Sequence, residues 1–210
     1  MASSISKIDV LLLAAGQSRR MGAENKLLMP FKAITLIRHV TEQLISANIG
    51  EITVVIGFDA ERVNNEISDL PVKFCHNRDF EAGQMSSVRA GSRAITGRSS
   101  GMMVALSDMP FLTAEDYCHL HRRFSVQTEP KILIPDYAGE RGNPIIIPRK
   151  FVADIATGAM NAGCKKLVHD HPEKTEIYNV NSSAYVADVD TPGDYEHTLN
   201  SIMAPGAPCC

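Results

Sequence analysis

The chain has 210 residues, with 21 Lys+Arg against 24 Asp+Glu, for a formal net charge of −3. Hydrophobic residues make up 44% and charged residues 21%, which excludes general disorder and suits one large α/β domain. A slightly acidic chain exerts no general pull on nucleic acid, and no apolar run approaches the ~18–20 residues that span a bilayer.

The start, Met1 to Lys7, lacks a basic stretch followed by an apolar one, so the expectation is a cytoplasmic protein without a secretory signal. The cysteines are Cys75, Cys118, Cys164, Cys209 and Cys210, with no Cys-x-x-Cys pair. Neither a disulfide framework nor a zinc knuckle fits that spacing. The last two follow Ala204-Pro-Gly-Ala-Pro208 and read as part of a frayed tail. His119/His121 and His169/His171 are read as core or surface histidines, because residues two apart leave different sides of a helix.

The apolar run Ile8 to Leu13 is continuous, as in a strand buried on both faces of a parallel sheet. Further strands are expected at 52–56, 72–75, 102–106, 132–134, 145–147 and 176–180. Between the early ones lie helical patterns. Ile37, Val40, Leu44 and Ile45 share a face that stops at Gly50; Val63 and Ile67 mark a shorter helix; Val88, Gly91 and Ile95 mark a third. Thr113 reads as an N-cap with Asp116 at the third helical position. Beyond residue 130 the turn-rich stretch Asp136-Tyr-Ala-Gly-Glu-Arg-Gly142 joins two strands by an exposed loop. Thr191-Pro192 opens a last helix. The alternation predicts an α/β fold with a mainly parallel central sheet. No repeat or linker divides it, so residues 1–202 form one domain and 203–210 a flexible tail.

Three segments place unusual residues at expected strand ends, where ligands of parallel sheets bind. The first is Leu13-Ala-Ala-Gly-Gln-Ser-Arg-Arg-Met-Gly22, with Lys26 beyond it. Small residues at Ala14, Ala15 and Gly16 let backbone N–H groups approach phosphate oxygens, and Arg19 and Lys26 supply charge. It is neither a Walker loop nor a dinucleotide fingerprint, since Gly22 precedes Ala23 and no G-x-G-x-x-G occurs. The plain alternative is a tight turn with exposed basic residues. The second is Met103-Val-Ala-Leu-Ser-Asp108-Met-Pro110, which puts a carboxylate at a strand mouth as an anchor for Mg²⁺, or as an ordinary turn aspartate. The third is Asp188-Val-Asp190-Thr-Pro, where Asp190 is a second metal carboxylate or a helix cap. Ser86 and Ser87 bind ribose or phosphate, or cap a helix. Asn77 and Asp79 recognise a base, or are turn residues. Arg141-Gly-Asn-Pro144 reads as a substrate wall.

Together with Gly83-Gln-Met-Ser-Ser-Val-Arg-Ala-Gly91, these motifs resemble, in order and over nearly the whole chain, the molybdenum cofactor nucleotidyltransferase family. Within it the molybdopterin cytidylyltransferases are the nearest likeness. The resemblance implies a Rossmann-like nucleotide-diphospho transferase fold. It also implies transfer of CMP from CTP to the phosphate of molybdopterin, with release of pyrophosphate and a requirement for Mg²⁺. It makes Ala15, Gly16, Arg19 and Lys26 triphosphate contacts and Asp108 and Asp190 metal ligands. A molybdenum hydroxylase receiving the product is an implied partner; nucleic acid and membrane are not. Ser107 departs from the family's frequent Gly while keeping the carboxylate beside it. Ala15 and the Arg141–Pro144 segment resemble the cytidylyl branch, where the guanylyl branch usually has Gly-Gly in the loop. The rivals are a transferase acting on a sugar or polyol phosphate, and a non-catalytic pterin-binding maturation factor. A dinucleotide-dependent oxidoreductase lacks its glycine fingerprint.

Overall fold

The apolar run after Ile8 becomes the centre of a sheet. A computed structural model of the chain describes residues 6–18, 20, 24–95, 99–161, 166 and 169–196. Arg19, Gly22, Cys164, Cys209, Cys210, the last residues of the expected domain and the whole expected tail lie outside the described residues. The strands of the first half are β1 (Asp9–Ala14), β2 (Pro30–Phe31), β3 (Ile34–Thr35), β4 (Ile52–Ile56) and β5 (Lys73–His76). The second half adds β6 (Gly101–Leu106), β7 (Ile132–Tyr137), β8 (Glu140–Arg141), β9 (Ile145–Pro148) and β10 (Thr175–Asn179). The helices are α1 (Leu36–Ala47), α2 (Ala60–Ile67), α3 (Gln84–Ala94), α4 (Ala114–Ser125) and α5 (Arg149–Thr157).

The main sheet runs β10-β7-β9-β6-β1-β4-β5, with β8 turned back onto β7. All its long neighbours pair in parallel except β9, which is antiparallel to both β6 and β7. This is the expected α/β architecture with a mainly parallel sheet. Every residue of β1 is buried, and the pleat divides its side chains between two cores. Val10 and Leu12 join Val40, Leu44, Tyr117 and Leu120 under α1 and α4. Leu11 and Leu13 join Val88, Val152 and Ile155 under α3 and α5. Each fully buried Leu or Val contributes roughly 1.5–3 kcal/mol, so this two-sided burial holds the layers together. Helix α3 lies close on its face because position 91 is glycine: a Cβ there would meet Leu11 and Val55 methyls at 2.8 Å.

Local signals act as read. Thr113 accepts from Asp116 N–H, and Asp116 returns a bond to the Thr113 N–H, completing a capping box on α4. Thr191 and Asp194 make the same exchange at 192–196. The expected pair of strands after residue 130 is β7 and β9, with β8 a short return between them. Helix α5 and the β2–β3 hairpin were not legible. Helix α5 buries only Val152 and Ile155, too few to mark a face, and β2 and β3 are two residues each.

Candidate functional site

Register brings three loops to one edge. Val10 pairs with both Ile52 and Met103, and Leu13 with both Val55 and Leu106, so the carboxyl ends of β1, β4 and β6 lie level. The chain after β1 crosses this edge at residues 15–18, anchored by Phe58 N–H on the Ala15 carbonyl. Ser18 adopts a left-handed φ of 49° and its Oγ accepts from the Lys26 N–H, drawing the basic residue back toward the strand end. Asn25 caps the short turn that carries Lys26 by accepting from Leu27 N–H. Ser107, at the end of β6, donates its hydroxyl to the Leu13 carbonyl at 2.7 Å and so ties the Asp108 turn to the β1 loop.

These loops enclose a cavity of about 550 Å³. Ala15, Gly16, Gln17, Ser18, Arg20 and Lys26 line it from the first segment, Ser107 and Asp108 from the second, Asp188 and Asp190 from the third. Phe80, Glu81, Gly83, Gln84 and Ser87 form the opposite wall, and Phe80 is the one aromatic ring among the described lining residues. A Cβ at Gly16 would meet no atom of the described residues within 4 Å, so their packing does not require a glycine there. Gln17 Nε2 donates to Glu81 Oε1 at 3.2 Å, joining the two walls.

At the base of the cavity Lys26 Nζ donates to Asp108 Oδ2 at 2.7 Å, Asp190 Oδ1 at 2.8 Å and the Val189 carbonyl at 2.8 Å. Arg20 bridges the other Asp190 oxygen. Burial opposes the charged form of Lys26, but the attraction and hydrogen bonds of Asp108 and Asp190 outweigh it and hold the ammonium above its ordinary pKa. Burial raises the Asp188 carboxyl above the ordinary aspartate value, helped by the negative charges of Asp190 and Asp108. The site therefore gathers negative charge on one side and cations beside it, an arrangement suited to an anionic ligand carrying a metal.

The donor set fits Mg²⁺. Asp108 Oδ1 is buried and has no hydrogen-bond partner among the described residues, a costly state for a carboxylate oxygen that a cation would relieve. Among the described residues no group of three or more His, Cys, Asp or Glu is placed to hold a metal. Two carboxylates suit Mg²⁺, which takes one or two from protein and the rest from phosphates and water.

The structure thus brings Ala15, Gly16, Lys26, Ser87, Asp108 and Asp190 to one cavity. Other anticipated residues sit elsewhere. Ala14 is 1% exposed and packs in the core under α1, so of the two loop alanines only Ala15, itself 4% exposed, lines the cavity. Asn77 is 4% exposed and outside the cavity wall. Its Nδ2 donates to Ser86 and Ser87 hydroxyls at 2.8 and 3.0 Å, and its Oδ1 accepts from the Asp79 N–H. It orients the start of α3. Ser86 donates to the Gly83 carbonyl and does not line the cavity. The Arg141–Pro144 segment is also outside the wall; Gly142 and Asn143 N–H groups bond the Pro135 and Tyr185 carbonyls. Asp190 does not cap the last helix by its side chain, since Thr191 does so.

Arg20, Asp188, Phe80 and Glu81 are cavity residues that the motif reading did not single out. Asp188 had a signal, since residues two apart share a face in extended chain. Phe80 and Glu81 had none before the turn placing them was known. His119 and His121 behave as read: His119 stacks on Tyr178, and His121 bonds the Ser6 carbonyl. No helix among the described residues is long and apolar enough to cross a membrane.

Comparison with known proteins places the fold and the family. Residues 10–175 match the model of the MobA-like NTP transferase domain. The chain is 28% identical to nicotine blue oxidoreductase of Paenarthrobacter nicotinovorans, over 86% of this chain and 91% of that protein. It is 26% identical to the molybdenum cofactor cytidylyltransferase of Escherichia coli, over 91% and 95%. Among solved structures, Rv0371c of Mycobacterium tuberculosis superposes with a TM-score of 0.81 at 23% identity, covering 94% of this chain and all of the other. CMP:2-keto-3-deoxy-manno-octonic acid synthetase complexed with CTP gives 0.77 at 13% identity, covering 96% and 100%. With four-fifths of its length matched by the family model, the chain belongs to the MobA-like NTP transferase family.

Proposed function

We propose that this nucleotidyltransferase moves CMP from CTP to the terminal phosphate of molybdopterin and releases pyrophosphate. The observation that carries the reading is the Lys26–Asp108–Asp190 cluster at the foot of a cavity walled by a small-residue loop. The similarity to the Escherichia coli cytidylyltransferase over almost all of both chains supports the choice of acceptor. Ala15 in the loop supports the choice of base.

The acceptor phosphate oxygen attacks the α-phosphorus in line, the bond to the β-phosphate oxygen breaks, and pyrophosphate departs with its electron pair. No covalent enzyme intermediate is needed. The protein's task is to position two anions and neutralise charge. Residues 15–18 offer backbone N–H groups to the triphosphate. Lys26 and Arg20 balance charge that grows on the leaving pyrophosphate, with Arg19 assigned the same role by motif. Asp108 and Asp190 would hold Mg²⁺, which when bound neutralises phosphate oxygens. Ser107 keeps Asp108 against the loop. Ser87 and Phe80 bound the far wall, where the nucleoside would lie.

A second reading, an oxidoreductase, is favoured by the 28% identity to nicotine blue oxidoreductase over most of both chains. The acidic pair with its lysine suits phosphates better than hydride transfer. One set of assays separates the readings. The protein is mixed with Mg²⁺, each of CTP, GTP and ATP, and either isolated molybdopterin or a sugar or polyol phosphate, while pyrophosphate is followed; a parallel reaction holds NADH or NADPH with nicotine blue, and cofactor oxidation is followed. Pyrophosphate release chiefly with CTP is the expected result. Excess guanine product would overturn the base choice, and binding of the pterin without release would favour a carrier. Release only with a sugar or polyol phosphate would move the acceptor, and dye-dependent NADH or NADPH oxidation alone would favour the oxidoreductase.

A further inference from the structure

The Lys26 ammonium occupies the position between two carboxylates that a divalent cation would take. Its bonds to Asp108 Oδ2, Asp190 Oδ1 and the Val189 carbonyl use all three of its donors. The side chain is only 11% exposed, so these contacts are short, charge-assisted and poorly screened. Arg20 closes the arrangement on the second Asp190 oxygen. Two carboxylates thus face two cations: every donor of the Lys26 ammonium is taken, while Arg20, its side chain 70% exposed, spends only one nitrogen on Asp190.

Resting on the nucleotidyl-transfer reading, we propose that Lys26 couples metal binding to triphosphate binding. With no nucleotide present it shields Asp108 and Asp190 from a divalent cation, and it leaves them only when phosphate oxygens offer it a replacement. The physical reason is charge balance. A cation arriving alone would either face an ammonium at contact distance or drive that buried ammonium off two partly exposed carboxylates into no equivalent partner. A triphosphate arriving alone would meet two carboxylates, with the Lys26 ammonium already committed to them. Arriving together, each takes what the other releases: the carboxylates pass to the metal, and Lys26 and Arg20 pass to the phosphates. No buried charge is left unpaired at any stage. The ammonium bonds only Oδ2 of Asp108, and Oδ1 is buried without a partner among the described residues, so the exchange also relieves a buried acceptor. Coupling of this kind is reciprocal, so each ligand tightens the other by the same factor.

Mn²⁺ binding to the full chain, read by electron paramagnetic resonance of the free ion, tests this without turnover. Lys26→Met with no nucleotide is expected to bind Mn²⁺ at least about tenfold tighter than the wild type, a gain within the ordinary range of site coupling. Adding Asp108→Asn should abolish the gain. No gain in Lys26→Met would overturn the proposal. A second measurement needs no variant. Inorganic tripolyphosphate should tighten Mn²⁺ binding to the wild type about tenfold beyond the complex formed in solution. Independent binding of the two would overturn the coupling. The two readings fail separately. Pyrophosphate release without this coupling sinks the role of Lys26 alone; the Lys26→Met gain without release from any nucleotide sinks the transfer reading alone.

Discussion

The Val189 N–H donates to the Asp108 carbonyl at 2.9 Å, and this backbone bond sets the segments carrying Asp108 and Asp190 side by side. It joins the turn after β6 to the stretch before the last helical turn, so Asp108 and Asp190 meet around one ammonium. Their separation is set by backbone and not by flexible side chains, as a preorganised electrostatic site requires.

Asp108→Asn is therefore expected to keep the fold, because the residue lies at a strand mouth and not in the core. It should lower Mg²⁺-dependent pyrophosphate release by at least about 10²-fold, the scale of losing a preorganised charged group. Thermal melts and initial rates check this together; near-normal rates in a folded variant would remove Asp108 from the metal site.

Lys26→Ala removes the charge that would follow the leaving pyrophosphate. The apparent constant for nucleotide should rise and turnover fall together, since the interaction strengthens toward the transition state. A defect confined to pterin binding would assign Lys26 to the other substrate.

The α4 cap offers a control away from the cavity. Thr113→Ala removes the hydroxyl that accepts from the Asp116 N–H, leaving only the backbone half of the box, and should cost about 1 kcal/mol of stability. Urea melts should show that loss, and kcat per folded molecule should not change. A matching drop in kcat would mean that α4 communicates with the site.

His121, on α4, is 6% exposed and its Nε2 donates to the Ser6 carbonyl at 2.9 Å. Burial lowers its pKa below the ordinary value, aided by the Arg122 charge and opposed by the Ser6 carbonyl. The unfolded chain then binds a proton more readily than the folded one. The stability contribution is present above about pH 6.5 and is lost as pH falls from there through the depressed folded value. Urea midpoints should drop between pH 7.5 and 5, and His121→Gln should flatten that drop. An unchanged slope in the variant would place the effect elsewhere, with His39 the next group to replace, since burial lowers its pKa too.

The order of strands and helices was legible because it rests on local periodicity. The buried run after Ile8, the faces of α1 to α3 and the Thr113 box each need only neighbours in the chain to be recognised. The basic loop and Asp108 were legible for a related reason, as chemically unusual residues at strand ends. Weakly patterned pieces were not, such as α5 with two buried residues, or Asn77, whose spacing does not say whether its amide meets a base or two serine hydroxyls. Partnership was decided by tertiary structure alone. Nothing local joins Lys26 to Asp108 and Asp190, or tells Ala14, packed in the core, from Ala15, which lines the cavity. Strand register, the pleat of β1 and the Val189–Asp108 bond made those choices, because contacts between distant segments follow from packing the whole sheet.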